Sequence, residues 1–442
     1  MDQKVRAAFI VLVLLILAVP LTLFVLSTGT QVQISPAVSV IGEATAMHVS
    51  VFNPHGVRKL TTTIEQDGRY YLAQITTSTP HRFMFLRRQE PPQYLTILAG
   101  KKAAPALHDG KAKIIVEAQS NDLRASTDTV TADVDVITAP PRVVADGAQH
   151  YINQGGCGLV SFTPTGYWTE SGVRVGKYMF RSFPLPSDPG KERFSLFAYP
   201  WDLPGDVQPS VYVTNPAGGI ASAAFQYKIF PKRFRTRDIQ LDDKFLERID
   251  NQIEPGSSGD LLERFLRINR DLRRKNNQTL ADLRLKTEPK FYWSGPFLQL
   301  GNSQVESVFA DRRNYIYKGK KVDEQVHLGF DLAVTAHVAV PASNDGKVLW
   351  ASDLGIYGNC VVIDHGYGLQ SIYGHLSQID VKLGDLVKKG QIIGRSGSTG
   401  LAGGDHLHFS MQLDGVQVNP VEWWDEHWIK DRVLSRLTPT AP

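Results

Sequence analysis

At 442 residues, with 42% hydrophobic and 21% charged side chains, the chain is longer than one ordinary domain and too apolar to be disordered. Its 48 Lys and Arg against 44 Asp and Glu leave a net charge of +4, too mild for the basic footprint of a nucleic-acid binder. Two cysteines, Cys157 and Cys360, are too few for a disulfide framework, and both are expected to be buried thiols.

The first element is an apolar run from Ala7 to Leu26, preceded by Lys4 and Arg6. A helix needs roughly 20 apolar residues to span the hydrocarbon core, whereas a signal-peptide core carries about 7–15, so an uncleaved anchor is expected. The basic residues before it leave residues 1–30 as a cytoplasmic tail and membrane anchor, and place the rest outside the cytoplasm. Localisation at a cell inner membrane, single-pass with the bulk in the periplasm, is the corresponding expectation.

Period-two alternation follows, as in Met47, Val49 and Val51, then Ala132, Val134 and Val136, with Asp67-Gly68 as a hairpin signal between. Residues 31–139 read as one β-sandwich-like module. After Pro140-Pro141 a second strand-rich stretch with Phe194, Leu196, Ala198, Val211 and Val213 makes residues 140–230 another. His48, His55, His81, His108 and His150 are scattered through both without ligand spacing.

Residues 231–289 read as a short helical connector. Phe245, Leu246, Ile249 and Ile253 form one apolar stripe, and Asp260 with Glu263 has capping-box-like spacing ahead of Leu261, Leu262, Phe265, Leu266 and Leu272. Arg264, Arg267, Arg270, Arg273, Arg274 and Lys275 are expected to be the solvated side of this helix. Residues 290–430 return to glycine-rich strands, and seven of the twelve histidines lie between His327 and His427.

The chemistry is carried by three segments: His327-Leu-Gly-Phe-Asp331, Tyr373-Gly-His375 and His406-Leu-His408. In a straight strand His327 and Asp331 would stand roughly 13 Å apart, too far to share one ion, so the backbone has to bend. Gly329 is the residue type that permits this. His406 and His408 project from one face of a strand, so that one can bind a metal while the other faces a substrate. An imidazole, a carboxylate and a second imidazole leave one tetrahedral position open, the arrangement of catalytic zinc. His375 adds a further imidazole, Tyr373 is either a groove wall or core, and His337, His365 and His427 have no ligand spacing.

In these segments, and in Ser307-Val-Phe-Ala-Asp-Arg-Arg313, Asp345-Gly-Lys-Val348, Val361-Val-Ile-Asp-His-Gly366, Gly384 to Gly394, Gly397-Ser-Thr-Gly400 and Asn419-Pro420, the chain resembles the LytM/lysostaphin-type zinc endopeptidases of bacterial cell walls over about Phe291 to Trp424. The resemblance implies a C-terminal antiparallel β peptidase domain of the duplicated hybrid motif fold. It implies Zn2+ held by His327, Asp331 and His408, with His375 and His406 as the catalytic histidines. Ala310 departs from the pattern, in which glycine commonly follows the phenylalanine.

The expected fold class is therefore mainly β: an N-terminal transmembrane helix, two β-sandwich-like modules, a short helical connector and the peptidase domain. The expected function is hydrolysis of peptide bonds in peptidoglycan stem peptides or cross-links, with peptidoglycan peptides and the inner membrane as partners and no nucleic acid. Two other readings fit less well. A non-catalytic cell-wall regulator would be expected to lose ligands, and none is lost. A membrane-anchored export adaptor is suggested by the likeness of Val381 to Gln391 to the turn of biotinyl and lipoyl domains, but no carrier tripeptide with its modifiable lysine occurs.

Overall fold

In the computed structural model the described residues are 3–81 and 89–437, without the side chains of residues 3–5, 7 and 8. The protein is mainly β. Its chain groups into two units, one comprising Met1–Arg142 with Thr165–Glu170 and Val213–Ala221, the other Val143–Pro164, Ser171–Tyr212 and Ser222–Pro442.

The N-terminal helix runs Gln3–Val25 with Pro20 inside it, and most of its side chains from Phe9 to Leu26 are exposed. No helix among the described residues is long and apolar enough to cross a membrane. The N-terminal transmembrane helix expected from the Ala7 to Leu26 run is thus not supported among the described residues. The Lys4 side chain, used in orienting this segment, lies outside the described ones.

The first unit packs a three-stranded sheet, ordered Gln31–Ile34, Thr45–Phe52, Gln93–Ala99, with a five-stranded one ordered Val40–Ile41, Thr127–Val136, Gly110–Ser120, Val57–Gln66, Arg69–Thr77. Alternation does the sorting here: Met47, Val49, Val51, Val134 and Val136 are buried, and Ala132 packs at the margin of their cluster. Asp67 and Gly68, at φ 52° and 73°, form the two-residue turn between paired Gln66 and Arg69, the left-handed pair that matches the twist of a hairpin.

In the second unit a sandwich and the C-terminal domain share one continuous apolar cluster, and the connector packs on the C-terminal domain through another. Phe194 of the sandwich stacks on Phe291 at 5.9 Å and meets Tyr367 edge-on at 5.0 Å. Polar pairs join the same parts. Arg181 donates from Nε to Asp414 at 2.9 Å, and Glu422, fully enclosed, accepts from Asn153 at 2.8 Å and from the Cys157 amide at 2.7 Å. Cys157 and Cys360 are both buried and unpaired.

Burial raises the Glu422 carboxyl from its ordinary 4.5 to about 7, against the pull of its two hydrogen-bond donors. A carboxyl raised in the folded state stabilises the fold fully below its unfolded value and loses that contribution as the unfolded chain ionises first. Stability is thus expected to fall by about 3 kcal/mol between pH 4.5 and pH 7 and to level off above, for a displacement of this size. Urea unfolding followed by tryptophan fluorescence across that range checks it, and Glu422→Gln should flatten the slope. An equally steep profile in the variant would refute the assignment.

The connector is not purely helical. It opens with a strand, Thr236–Leu241, that pairs in parallel with Asp311–Tyr317 of the C-terminal domain, because Arg235 reaches Asp311 at 3.0 Å and carries the chain onto that edge. Helix Asp243–Ile253 comes next, capped by Asp242. A second helix starts at Leu261, where the Asp260 carboxylate accepts from the Glu263 amide at 2.8 Å, and passes through a π-helical turn, Arg267–Leu272, into Arg273–Asp282. Its arginines are not uniformly solvated. Arg264 lies 3.6 Å from the buried Asp250, Arg270 pairs with Asp323 at 2.9 Å, and Arg273 is half-buried.

The C-terminal domain is built on a wholly antiparallel sheet of eight strands, including the adjacent strands Phe330–Ala333, His406–Leu413, Leu369–Leu376 and Asn359–Gly366. These four are almost entirely buried, so the sheet is a rigid base for the side chains that project from it.

Candidate metal centre

Sheet register assembles the centre. Asp331 stands directly opposite His408, Ala333 opposite His406, and Gly374, next to His375, also opposite His408. His327 arrives from a different sheet, at the end of strand Lys320–His327, after which the chain turns within two residues into Phe330–Ala333. The bend expected between His327 and Asp331 is therefore a change of sheet.

Gly329 serves this bend for another reason than a left-handed backbone, since its φ is not positive. A Cβ there would lie 2.4 Å from Ser410 Oγ and 2.7 Å from the His408 ring. Close approach, not torsion, demands glycine. Gly329→Ala is expected to push His408 aside and weaken metal binding about 10- to 100-fold, the size of effect of disturbing the groups that hold a ligand. Competition with a chelator measures this, and unchanged affinity would show that the ring has room to yield.

His327 Nε2, Asp331 Oδ1 and His408 Nδ1 converge: His327 to Asp331 is 2.9 Å, His408 to Asp331 3.1 Å and His327 to His408 3.0 Å. They are the one His/Cys/Asp/Glu group among the described residues able to hold a metal ion. The remaining ring nitrogens fix the tautomers. His327 Nδ1 donates to the Val308 carbonyl at 3.2 Å. Ser410 gives its hydroxyl proton to the Leu328 carbonyl at 2.7 Å, so at 2.9 Å it accepts from His408 Nε2. Three lone-pair atoms thus face one another in a buried place with no proton between them. A cation resolves that repulsion, and the edges of the triangle are close to the roughly 3.3 Å of a tetrahedral site with bonds of 2.0–2.1 Å.

His375 and His406 share the hollow, their rings 4.8 Å apart and His375 5.7 Å from His408. Each donates Nδ1–H to a carbonyl, His375 to Thr399 at 2.8 Å and His406 to Gly404 at 2.9 Å, which leaves both Nε2 lone pairs for chemistry. Burial, reinforced by His406 and His408, holds His375 well below its ordinary pKa and keeps it neutral. At His406 burial works downward too, but the hydrogen bond and charge of Asp331, 3.4 Å away, outweigh it and raise the value. His375 itself sits at φ 62°, a left-handed backbone in which a non-glycine residue is strained, and such strain collects at functional sites.

Other positions fall out differently. Tyr373 is core, not groove: it is buried and its hydroxyl accepts from the Ser343 amide at 2.7 Å. His365 is structural, its Nδ1 2.7 Å from the Asp345 carbonyl and its Nε2 2.8 Å from Ser371 Oγ. His337 hydrogen-bonds Ser377, and His427 lies in the capped first turn of helix Glu426–Arg432, both outside the cluster. Ala310 has φ 62° and no exposure, so a glycine would meet this backbone without strain.

Sequence reasoning passed over two neighbours. Arg313 donates from Nη2 to Asp331 Oδ2 at 2.6 Å, holding the carboxylate by the oxygen that faces away from the triangle. Tyr357 packs edge-on against His408 at 5.5 Å. Arg313 closes the Ser307–Arg313 motif and could have been noticed there, whereas nothing local marks Tyr357.

A β-sheet domain bearing an open-sided His-Asp-His centre with two further imidazoles defines a metallohydrolase class of site. Residues 325–420 match the model of peptidase family M23, and this part of the chain is an M23 domain. The chain is 40% identical over 97 residues to the DD-carboxypeptidase/endopeptidase Mpg of Neisseria meningitidis, covering 22% of each chain. It is 42% identical over 96 residues to the peptidoglycan DD-endopeptidase ShyA of Vibrio cholerae, again 22% of each. It spans about a fifth of the length of these curated relatives. Among solved structures, a putative peptidase M23 from Pseudomonas aeruginosa aligns with 22% identity and a TM-score of 0.36, over 60% of this chain and 92% of that one.

Proposed function

We propose that the protein is a zinc-dependent endopeptidase that hydrolyses peptide bonds in peptidoglycan, with His327, Asp331 and His408 as the metal ligands and His375 and His406 as the catalytic histidines. The observation that carries this reading is the meeting of three protonless ligand atoms with two Nε2 lone pairs in one buried hollow of an M23 domain. The donor set of two imidazoles and a carboxylate suits zinc, and when bound zinc supplies Lewis acidity, acidifying water and polarising a carbonyl.

The chain's own residues supply the rest. A neutral His375 or His406 can take a proton from water at Nε2 and pass one to the departing amine, with Thr399 and Gly404 holding the rings in place. Once a ring has taken that proton, its Nε2–H can donate to negative charge growing on the carbonyl oxygen. Arg313 keeps Asp331 oriented throughout.

The scissile bond we favour is the D-Ala to diaminopimelate cross-link, in keeping with the names of the relatives. We further propose that the protein works in the periplasm at the face of an inner membrane, a reading supported by the apolar run from Ala7 to Leu26 in the sequence. The test is digestion of purified sacculi by the zinc-loaded full-length protein in detergent micelles, with mass analysis of the products. Release of uncross-linked stem peptides is expected, and intact sacculi would refute the activity.

A further inference from the structure

The metal hollow is small, about 90 Å³, and five of its lining residues are the histidines and aspartate already described. Two others, Arg273 and Asn277, come from the connector helix, and the same two also line an adjoining hollow of about 400 Å³ with Arg270, Arg274, Asp323 and Gln325. The smaller space has room for about three waters, and the larger falls within the roughly 300–1,000 Å³ of ligand sites. A peptide reaching the metal therefore runs along a cleft one of whose walls is this helix.

That wall carries donors without acceptors. Arg273 is held along one edge, Nε to the Asn269 carbonyl at 3.1 Å and Nη2 to Asn269 Oδ1 at 2.7 Å, and Asn269 is itself fully buried. Nη1 has no hydrogen-bond partner among the described residues, and Arg273 makes no ion pair among them. One turn on, the Tyr357 hydroxyl accepts from Gln417 at 3.2 Å and gives its one proton to Asn277 at 2.9 Å, so Asn277 accepts through Oδ1 and its Nδ2 remains a donor. Asp323 does not neutralise this wall, because it is already taken by Arg270, Asn269 and Gln325. Among the described residues Arg274 pairs only with the exposed Asp271.

The geometry is built into the helix. The π-helical turn Arg267–Leu272 directly before Arg273 inserts a residue and rotates the helix beyond it by about 100° relative to a regular one. Asn276 then seats the helix by accepting from the Ile356 amide at 3.0 Å, where Gly355 leaves no room for a Cβ, 2.6 Å from the same oxygen.

We propose that Arg273 Nη1 and Asn277 Nδ2 form a carboxylate-recognising subsite, which selects peptides bearing a free carboxylate close to the bond to be cut. The proposal rests on the peptidase reading, since it assigns the subsite to that reaction's substrate. A guanidinium and an amide one helical turn apart present a donor pair to the two oxygens of a carboxylate, and an amide in its place offers one oxygen and no charge.

The test compares two synthetic cross-linked tetrapeptide dimers, one with free carboxylates and one with those groups amidated, on the zinc-loaded full-length protein. The free-carboxylate dimer should have a kcat/KM about 10- to 100-fold higher, as charge-assisted hydrogen bonds allow. Arg273→Gln should erase that preference, bringing kcat/KM on the free-carboxylate dimer down to the value on the amidated one. Should Arg273→Gln fail to fold, Arg273→Lys, which keeps the charge but not the fork, should lower the preference at least severalfold. Equal losses on both dimers, or a wild-type protein indifferent to amidation, would overturn the subsite. If neither dimer is cleaved, the peptidase reading fails by itself. Fluorescence anisotropy of the labelled dimers then decides the subsite, with tighter binding of the free-carboxylate form upholding it and equal binding rejecting it.

Discussion

Asp331→Ala is expected to leave a protein that binds zinc at least about 100-fold more weakly, because one of three ligand atoms is lost. The wild-type protein should carry about one ion per chain. The substitution has a second consequence. Arg313, largely enclosed, donates to Asp331 at 2.6 Å, and removing the carboxylate strands a buried guanidinium. Breaking such a pair from one side costs about 3–5 kcal/mol. Asp331→Asn separates the two effects, since its side-chain oxygen still accepts from Arg313 while its charge is gone. Elemental analysis together with thermal unfolding of both variants reads out metal and fold independently. Full zinc occupancy in either one would remove Asp331 from the ligand set.

His375→Ala and His406→Ala are expected to keep their zinc and lose about 10²- to 10⁴-fold in kcat, the range for general acid–base help. The geometry makes His375 the cleaner case. Its ring lies 5.7 Å from that of His408 and its Nδ1 is spent on Thr399, so removing it leaves the ligand triangle intact. His406 is nearer, with Nε2 3.4 Å from Asp331 Oδ1, and its removal also changes the surroundings of a ligand oxygen. A modest loss of metal affinity is expected there and none at His375. If His406→Ala releases metal as readily as His408→Ala, His406 belongs among the ligands. His365→Ala serves as the contrast: it should damage folding through Asp345 and Ser371 and leave the chemistry of the folded fraction unchanged.

What the sequence by itself determined about this protein is what short-range periodicity and local chemistry encode. Alternation at Met47, Val49 and Val51 buries one face of a strand, Asp67-Gly68 closes a hairpin, and Asp260 caps a helix. His406 and His408, two apart, share a face because strand side chains repeat every second residue. The distance from His327 to Asp331 required a bend, and the motifs named the five residues that the structure gathers into one hollow.

Only the tertiary structure decided what lies across each face. Tyr373 is core while Tyr357 packs on His408 of the His-Asp-His cluster, although both are aromatic residues in apolar surroundings; sheet register, not composition, separates them. Gly329 is required by the His408 ring, 79 positions away in the chain, and no local torsion records it. The connector's arginines form a polar stripe in the sequence, and polarity alone reads as solvation. Whether such a stripe meets water, an aspartate or a catalytic hollow depends on the π turn that rotates it and on the Gly355–Tyr357 turn that receives it. The same limit applies to Glu422 and Asn153, joined across 269 positions at 2.8 Å. Periodicity says which side of an element is apolar, but the partner of the polar side is set by packing between segments far apart in the chain, where no repeat links them.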